Sequence, residues 1–193
     1  MTGESMGRSG FAHGVVLALS LGLTALVACD DTPGAQSPHR PLPAYAGHTA
    51  EVFDDSIESA AAGISLDLHV DPNLDPKLRE RTQTADAVVR VRATTVTAKP
   101  EESGTRFTIG LKTVEMVTGH FPPGDTFEIG VGPASPSSGI MKSLDGRLVG
   151  KSFVGFVRTF VRSDGDQEIH FHLAPDTKEE VLAVRNAVAL AGL

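Results

Sequence analysis

The sequence has no tryptophan, one tyrosine and one cysteine, so several common sources of stability are missing. A single cysteine excludes a disulfide within the chain. The hydrophobic core must therefore consist of Val, Leu and Ile side chains together with nine phenylalanines. The length of 193 residues accommodates one domain of ordinary size with additional terminal segments.

Basic residues are also scarce: 17 Lys and Arg stand against 24 Asp and Glu, which gives a formal net charge of -7 at pH 7. Nucleic-acid-binding proteins present a basic patch, and barrels that bind single strands add aromatic side chains that stack on bases. The sequence has neither feature, so we do not expect nucleic acid as a partner. The excess of acidic over basic residues also argues against electrostatic docking on anionic lipid.

The N-terminus has the three parts of an export signal. Residues 1–13 are polar and contain Arg8, residues 14–28 are apolar and uncharged, and a small residue, Ala28, precedes Cys29. This order predicts a secretory signal peptide. The apolar run is shorter than the roughly 20 residues of a membrane-spanning helix.

Leu26, Val27, Ala28 and Cys29 resemble the lipobox of bacterial lipoprotein precursors, in which aliphatic and small residues precede the cysteine. The resemblance implies that a diacylglycerol group is transferred to the Cys29 thiol, that the chain is cut before Cys29, and that the new amine is acylated. It implies a protein of the bacterial cell envelope that its lipid holds at a membrane, facing the periplasm or the exterior. The alternatives are an ordinary signal cut nearby and an uncleaved helix with an incidental cysteine.

Prolines dominate the segment that follows the cysteine. Pro33, Pro38, Pro41 and Pro43 are incompatible with a helix or a central strand. Because large apolar side chains are few there, the segment is predicted to be a disordered tether. We therefore expect three parts: a lipoprotein signal peptide (1–28), a lipidated cysteine with a Pro-rich tether (29–50), and a single β-rich domain (51–193) with a barrel core at about 85–175.

Helices are predicted at both ends of this domain. Residues 51–62 place apolar side chains near one helical face, and Asp75 with Pro76 is typical of an N-cap and first helical position, opening a helix to about Thr84. Asp176 with Glu179 resembles a capping box that opens a final helix. The apolar stripe predicted for that helix consists of Val181, Leu182, Val184, Val188 and Ala189.

Strand patterns fill the region between the helices. Residues 64–70 alternate strictly between apolar and polar and predict a half-buried strand. Five further strands are predicted at 86–98, 105–118, 127–131, 152–162 and 167–173. The second of these five has a bulge expected at Gly110–Thr113, and the fourth is apolar on both faces, as a central strand is.

Five strands of these lengths with a final helix resemble a small barrel of the oligonucleotide/oligosaccharide-binding (OB) type. Residues 85–89 also resemble the opening of a barrel domain found in many uncharacterised bacterial envelope proteins. The expected fold is thus mainly β: a small five-stranded OB-like barrel with flanking short helices and a C-terminal helix. A β-sandwich is the main alternative, although barrel closure protects strand edges that an open sheet exposes.

Two histidines are candidate metal ligands. His170 and His172 lie two residues apart on a predicted strand and therefore share a face. Neutral imidazoles at this spacing can bind Zn²⁺ or Cu²⁺, with His120, Asp166 or Glu168 as a third ligand. The alternative is a solvated strand face beside an apolar core face.

Two further segments have candidate roles. Asp164, Asp166 and Glu168 resemble alternating calcium ligands, but a hairpin turn explains them better because the loop glycine and the distal glutamate are missing. Residues 132–152 form the longest irregular stretch, which is either a plain connection between strands or a recognition loop. Its candidate contacts are Ser137, Lys142, Asp145, Arg147 and Lys151.

The sequence contains none of the common catalytic or nucleotide-binding motifs, such as a Walker loop, a G-x-S-x-G elbow or an H-E-x-x-H helix. We therefore predict a non-enzymatic binding or interaction lipoprotein of the cell envelope, with an envelope protein or a small ligand as its partner. The alternative is a periplasmic or surface metal-binding protein that uses His170 and His172 to hold zinc or copper.

Overall fold

The computed structural model describes residues 41–64, 71–120 and 125–192. The predictions for the signal peptide, for Cys29, for the tether up to residue 40 and for most of the strand at 64–70 lie outside these ranges. Ala44 forms a parallel bridge with Val161, and a short helix begins at His48. The division into a tether and a domain at residue 51 stays a prediction.

The described part of the chain contains short helices and longer strands. In chain order the elements are α1 (His48–Val52), β1 (Ser56–Ile57), α2 (Ser59–Ala62), a 3₁₀ turn (Pro72–Leu74), α3 (Pro76–Thr84), β2 (Ala87–Glu101), β3 (Gly104–Gly119), β4 (Thr126–Val131), α4 (Ser138–Leu148), β5 (Ser152–Val161), β6 (Gln167–Pro175) and α5 (Lys178–Ala191).

The strands form one six-stranded sheet in the order β1-β6-β5-β2-β3-β4. β1 runs parallel to β6, and the other neighbours are antiparallel. The sheet curls into a half-barrel, so the mainly β, barrel-like class is confirmed and the predicted count of five strands is wrong. The additional strand is β1, which lies where one continuous helix was predicted. Asp55 has a φ of 52°, a left-handed conformation that ends the helical path between α1 and β1.

The curl of the sheet comes from irregular pairing between its two longest strands. The β2–β3 register shifts between Val88 and Val89, between Arg90 and Val91, and between Ala93 and Thr95. The third shift leaves Thr94 of β2 extra, opposite Gly110 and Leu111, and the second leaves Val114 of β3 extra, next to Thr113. The pairing is therefore irregular near the predicted position, Gly110–Thr113, although the extra β3 residue lies one position beyond it. Each bulge bends its strand and increases the local twist, which carries β4 around toward β6.

The sheet separates two hydrophobic clusters. The inner cluster fills the concave side, where α4 contributes Met141 and Leu148. The outer cluster lies between the convex side and helices α1, α3 and α5. Phe153 belongs to the inner cluster and Phe156 to the outer one, so β5 is buried on both faces, as predicted for a central strand.

The predicted cap of α3 is confirmed, since Asp75 Oδ1 accepts a hydrogen bond from Lys77 N at 2.9 Å. The predicted cap of α5 is wrong by one residue. Thr177 Oγ1 accepts from Glu180 N at 3.1 Å, while Asp176 pairs with Arg90 at 2.8 Å. The stripe that α5 buries consists of Glu180, Ala183, Val184 and Ala187, and the predicted members Leu182 and Val188 are exposed.

The stretch predicted to be irregular at 132–152 contains helix α4, so that prediction is wrong. Ile140, Met141, Leu144 and Leu148 follow helical spacing and pack on the inner cluster. Two glycines within the helix conceal this pattern, because glycine is typical of turns. α4 covers part of the concave side of the half-barrel and holds the preceding residues 132–137 next to β1.

Candidate functional site

A seam exists where the two ends of the curled sheet approach each other. β4 is the last strand at one end, and β6 with β1 forms the other. Serine side chains from the segment after β4 connect the two sides. Ser135 Oγ donates to the Asp55 carbonyl at 2.7 Å, and Ser137 Oγ accepts from Ile57 N at 2.6 Å. These side chains replace the backbone ladder that would close a complete barrel.

An open cavity of about 460 Å³ lies along this seam. We call it the seam groove. Its lining comes from the segment before β1, from the β2–β3 turn, from β3 and β4, from the segment after β4, and from the start of β6. The lining residues are Tyr45, Asp54, Asp55, Ser103, Arg106, Gly130, Gly132, Pro133, Ala134, Ser135, Pro136, Glu168 and Ile169.

One wall of the groove is acidic and is formed by Tyr45, Asp54, Asp55 and Glu168. The Tyr45 ring stacks on His170 with a centroid separation of 3.4 Å, and its hydroxyl donates to the Phe53 carbonyl at 2.8 Å. Burial, together with the charges of Asp55, Asp54 and Glu168, raises the pKa of Tyr45 to about 12. Burial is the larger cause of this shift, and the neighbouring negative charges add to it.

Asp54 and Asp55 hold the two histidines of β6. His170 Nδ1 lies 2.8 Å from Asp55 Oδ2, and His172 Nδ1 lies 3.2 Å from Asp54 Oδ1. Burial raises the pKa of Asp55 despite the hydrogen bond from His170. Burial also acts to raise the pKa of Asp54, but hydrogen bonds from His172 and Ser56 hold it below its usual value. The acidic wall is thus fastened to β6 by two histidine–carboxylate pairs.

The structure places His170 and His172 on one face of β6, as predicted, but that face is buried. Their side chains are only 7% and 6% exposed, so the predicted alternative of a solvated face is wrong. His172 uses both ring nitrogens, because its Nε2 also lies 2.9 Å from Glu58 Oε1. His170 Nε2 has no hydrogen-bond partner among the described residues, and Glu168 Oε2 is 3.7 Å away.

The two histidines do not share a metal-binding arrangement in the described part of the chain. Across residues 41–64, 71–120 and 125–192, no group of three or more His, Cys, Asp and Glu side chains is placed to hold a metal ion. Of the predicted third ligands, Glu168 contacts His170, whereas Asp166 lies in the β5–β6 turn, where its N–H donates to Asp164 Oδ1 at 3.1 Å. That bond supports a hairpin turn for this acidic segment. Zinc or copper binding stays a prediction.

The opposite wall of the groove is basic and carries a guanidinium group. Arg106 Nε donates to Glu101 Oε1 at 2.9 Å, while its terminal nitrogens extend over two glycines of β4 and its end. A Cβ atom at Gly130 would lie 3.7 Å from Nη1, and one at Gly132 would lie 3.8 Å from it. No other hydrogen bond or ion pair of Arg106 is found within the described ranges. The terminal nitrogens are therefore available to a ligand.

The candidate recognition residues do not lie in the lining of the seam groove. Ser137 is 1% exposed and bonds to β1, so it closes the seam and cannot contact a ligand. Lys142, Asp145 and Arg147 lie on the exposed side of α4, and Lys151 follows that helix near Gly63. These four residues are not among the groove lining. Residues 133–136 do line the groove, so the predicted loop contributes its first residues and not its charged ones.

Of the charged residues and Tyr45 that form the two walls, the sequence pattern indicated only Glu168, as a candidate metal ligand. Asp54 and Asp55 lie in a segment that matched a helix, and only their adjacency, together with the preference of aspartate for turns, indicated a break. Tyr45 was assigned to the tether. Arg106 lies near the start of a strand of alternating apolar and polar residues, as several other charged residues of the chain do. Its position over the two glycines depends on strand pairing, which the local sequence does not specify.

The hydroxyl groups near the groove are engaged in structure. Ser56 Oγ donates to Asp54 Oδ1 at 2.5 Å and lies 2.9 Å from His172 Nδ1, a serine–histidine contact typical of hydrolases. Ser56 is, however, 8% exposed and does not line the groove. Ser135 Oγ donates to the Asp55 carbonyl. The arrangement supplies charged and hydrogen-bonding groups to a ligand, and it presents neither of these hydroxyls as a nucleophile.

In comparisons with known proteins, no family model matches the chain and no curated protein is similar enough to count as a match. A search of the described residues for a helix long and apolar enough to cross a membrane found none.

Proposed function

We propose that this chain is a lipid-anchored, non-enzymatic binding protein of the bacterial cell envelope and that the seam groove is its ligand site. The lipobox-like residues Leu26–Cys29 support the anchor. A groove of about 460 Å³ with an acidic wall and a basic wall supports binding, since cavities of about 300–1,000 Å³ are typical of ligand sites. The single observation that carries the proposal is the guanidinium of Arg106 with its terminal nitrogens directed along this groove.

The strand arrangement supports an OB-type barrel for this function. Without β1, the strands lie in the order β6-β5-β2-β3-β4. OB barrels bind ligands across their second and third strands, between the loop after the first strand and the loop after the fourth. β3 and β4 are the second and third of these five strands, Ser103 lies in the first of those loops, and Glu168 follows the second. This correspondence supports the seam groove as the ligand site.

The charge of the molecule supports a ligand other than nucleic acid. The formal net charge is -7, and three carboxylates line the groove beside one arginine. A phosphate backbone would be repelled by this surface. Ligands with exposed donors, such as peptides and sugars, are compatible with the carboxylate oxygens.

A groove-filling substitution tests the proposal. Gly132→Leu adds a side chain beside Arg106, where a Cβ has ordinary contacts of 3.8 Å or more. Gly146→Leu adds the same side chain on α4, where a Cβ meets nothing within 4 Å. Full-length protein purified from its native envelope is analysed by mass spectrometry for bound small molecules and peptides. We expect wild type and Gly146→Leu to retain the same ligand and Gly132→Leu to lose it; equal retention by all three would contradict the proposal.

A further inference from the structure

The strongest unexplained feature of the groove is that its two walls carry opposite, incompletely compensated charge. On the acidic wall, Glu168 is 46% exposed, and the nearest guanidinium nitrogen, Nε of Arg162, is 3.9 Å from its carboxylate. On the basic wall, Arg106 is also 46% exposed and uses Nε alone for Glu101. Each wall can therefore accept a ligand group of the opposite sign.

The acidic wall presents carboxylate oxygens, which accept hydrogen bonds. The side chains of Asp54, Asp55 and Glu168 all line the groove and are 30%, 21% and 46% exposed. An ammonium group, with three N–H donors, matches this wall.

The basic wall matches a carboxylate. The two terminal nitrogens of Arg106 present a planar fork, and such forks bind carboxylates through two parallel hydrogen bonds. The fork lies over Gly130 and Gly132, which have no side chains to obstruct it. A ligand that was only anionic would be repelled by Asp54, Asp55 and Glu168, and a ligand that was only cationic would be repelled by Arg106.

We infer that the seam groove binds a short zwitterionic peptide, with the amino group of the ligand at Glu168 and a carboxylate of the ligand at the guanidinium of Arg106. This inference rests on the proposed function and specifies the ligand of the same groove. β4 is the terminal strand on its side of the seam, and its backbone offers hydrogen bonds to an extended peptide, a common mode of peptide recognition.

Calorimetry with trialanine and its blocked forms tests the inference on the full-length protein in detergent. Trialanine with both ends free is expected to bind. N-acetyl-trialanine and trialanine amide are each expected to bind about tenfold more weakly, equivalent to about 1.4 kcal/mol. Equal affinity for the free and blocked peptides, or no binding of trialanine, would overturn the inference.

Charge-neutral variants assign each end of the peptide. Arg106→Gln is expected to remove the preference for the free carboxylate and to keep the preference for the free amine, and Glu168→Gln to do the reverse. Arg147→Gln and Glu179→Gln are the controls, because both residues are exposed and distant in the fold from the groove lining. Thermal melting confirms that each variant is folded. Preferences that do not change in Arg106→Gln and Glu168→Gln would overturn the assignment.

The result separates this inference from the proposed function. In one outcome, the native protein retains a ligand that the Gly132→Leu variant loses, but trialanine does not bind. The groove is then a binding site, and the inference of a zwitterionic peptide ligand is wrong. If Gly132→Leu loses no ligand and trialanine does not bind, both proposals are wrong.

Discussion

At the scale of single residues, Glu180 is the carboxyl group whose burial has the largest consequence for pH dependence. It is 8% exposed on the inner side of α5. Burial, and then the charges of Glu58 and Asp75, raise its pKa to about 7 from an ordinary value of 4.5. Since the folded pKa is the higher one, the folded state favours the neutral form. Ionisation of the buried Glu180 therefore lowers the free energy of unfolding. This effect is absent below about pH 4.5 and grows as the pH rises to about 7.

Glu180→Gln removes this titration. We expect the variant to be more stable than wild type at pH 8 by an amount on the order of 2 kcal/mol, and to differ little at pH 4. Urea denaturation at the two pH values measures the difference. Glu179→Gln, at an exposed neighbouring position, is the control and should show no pH-dependent gain. A gain of the same size at both pH values would show that Glu180 does not titrate as inferred.

At the scale of elements, the closure of the half-barrel depends on a two-residue strand and on the serines that follow β4, of which Ser137 bonds to that strand. Ile57 N donates to Ser137 Oγ at 2.6 Å in a buried position. A backbone N–H that is buried without an acceptor lowers the stability of the folded state. This bond therefore stabilises the seam because water is excluded from it.

Ser137→Ala leaves the Ile57 N–H without this acceptor. We expect a loss of about 1–3 kcal/mol in the free energy of unfolding and faster hydrogen exchange at Ile57. Ser143→Ala, on the exposed side of α4, is the matched control and should change neither quantity. If both variants unfold at the same denaturant concentration as wild type, the closure does not depend on Ser137.

The longer elements were predictable because local sequence patterns determine them. The alternation of apolar and polar residues predicted β2, β3 and β4. A strand apolar on both faces predicted β5, and Asp75 with Pro76 predicted the start of α3. β1 was missed because two residues are too few for a periodic signal, and α4 was missed because its glycines imitate a loop. The two histidines were found, but their carboxylate partners were not, since Asp54 and Asp55 lie more than a hundred residues away in sequence and reach β6 through tertiary pairing.

At the scale of the whole molecule, the proposed anchoring and the proposed ligand binding would have separate physical sources. The acidic surface, with a formal net charge of -7, gives no attraction to anionic lipid. Acyl chains on Cys29 would supply the attachment, at about 0.8 kcal/mol for each buried CH₂.

Cys29→Ser tests the anchor. In native cells we expect wild type to fractionate with membranes and to exceed its polypeptide mass by the mass of its acyl chains. The variant is expected to lose the added mass and to leave the membrane fraction. Ala28→Gly keeps a small residue before the cysteine and serves as the control. Identical mass and fractionation of wild type and Cys29→Ser would contradict lipidation.

The parallel bridge between Ala44 and Val161 has a mechanical consequence. Tyr45, which follows the bridge, covers His170 and borders the ligand site. A tensile force transmitted along the chain from an N-terminal anchor acts on this bridge before it acts on α1 or any strand of the half-barrel. If the proposed anchor and the proposed ligand site are both correct, stretching would distort the wall at Tyr45 before the rest of the fold, and ligand affinity would depend on the load on the molecule.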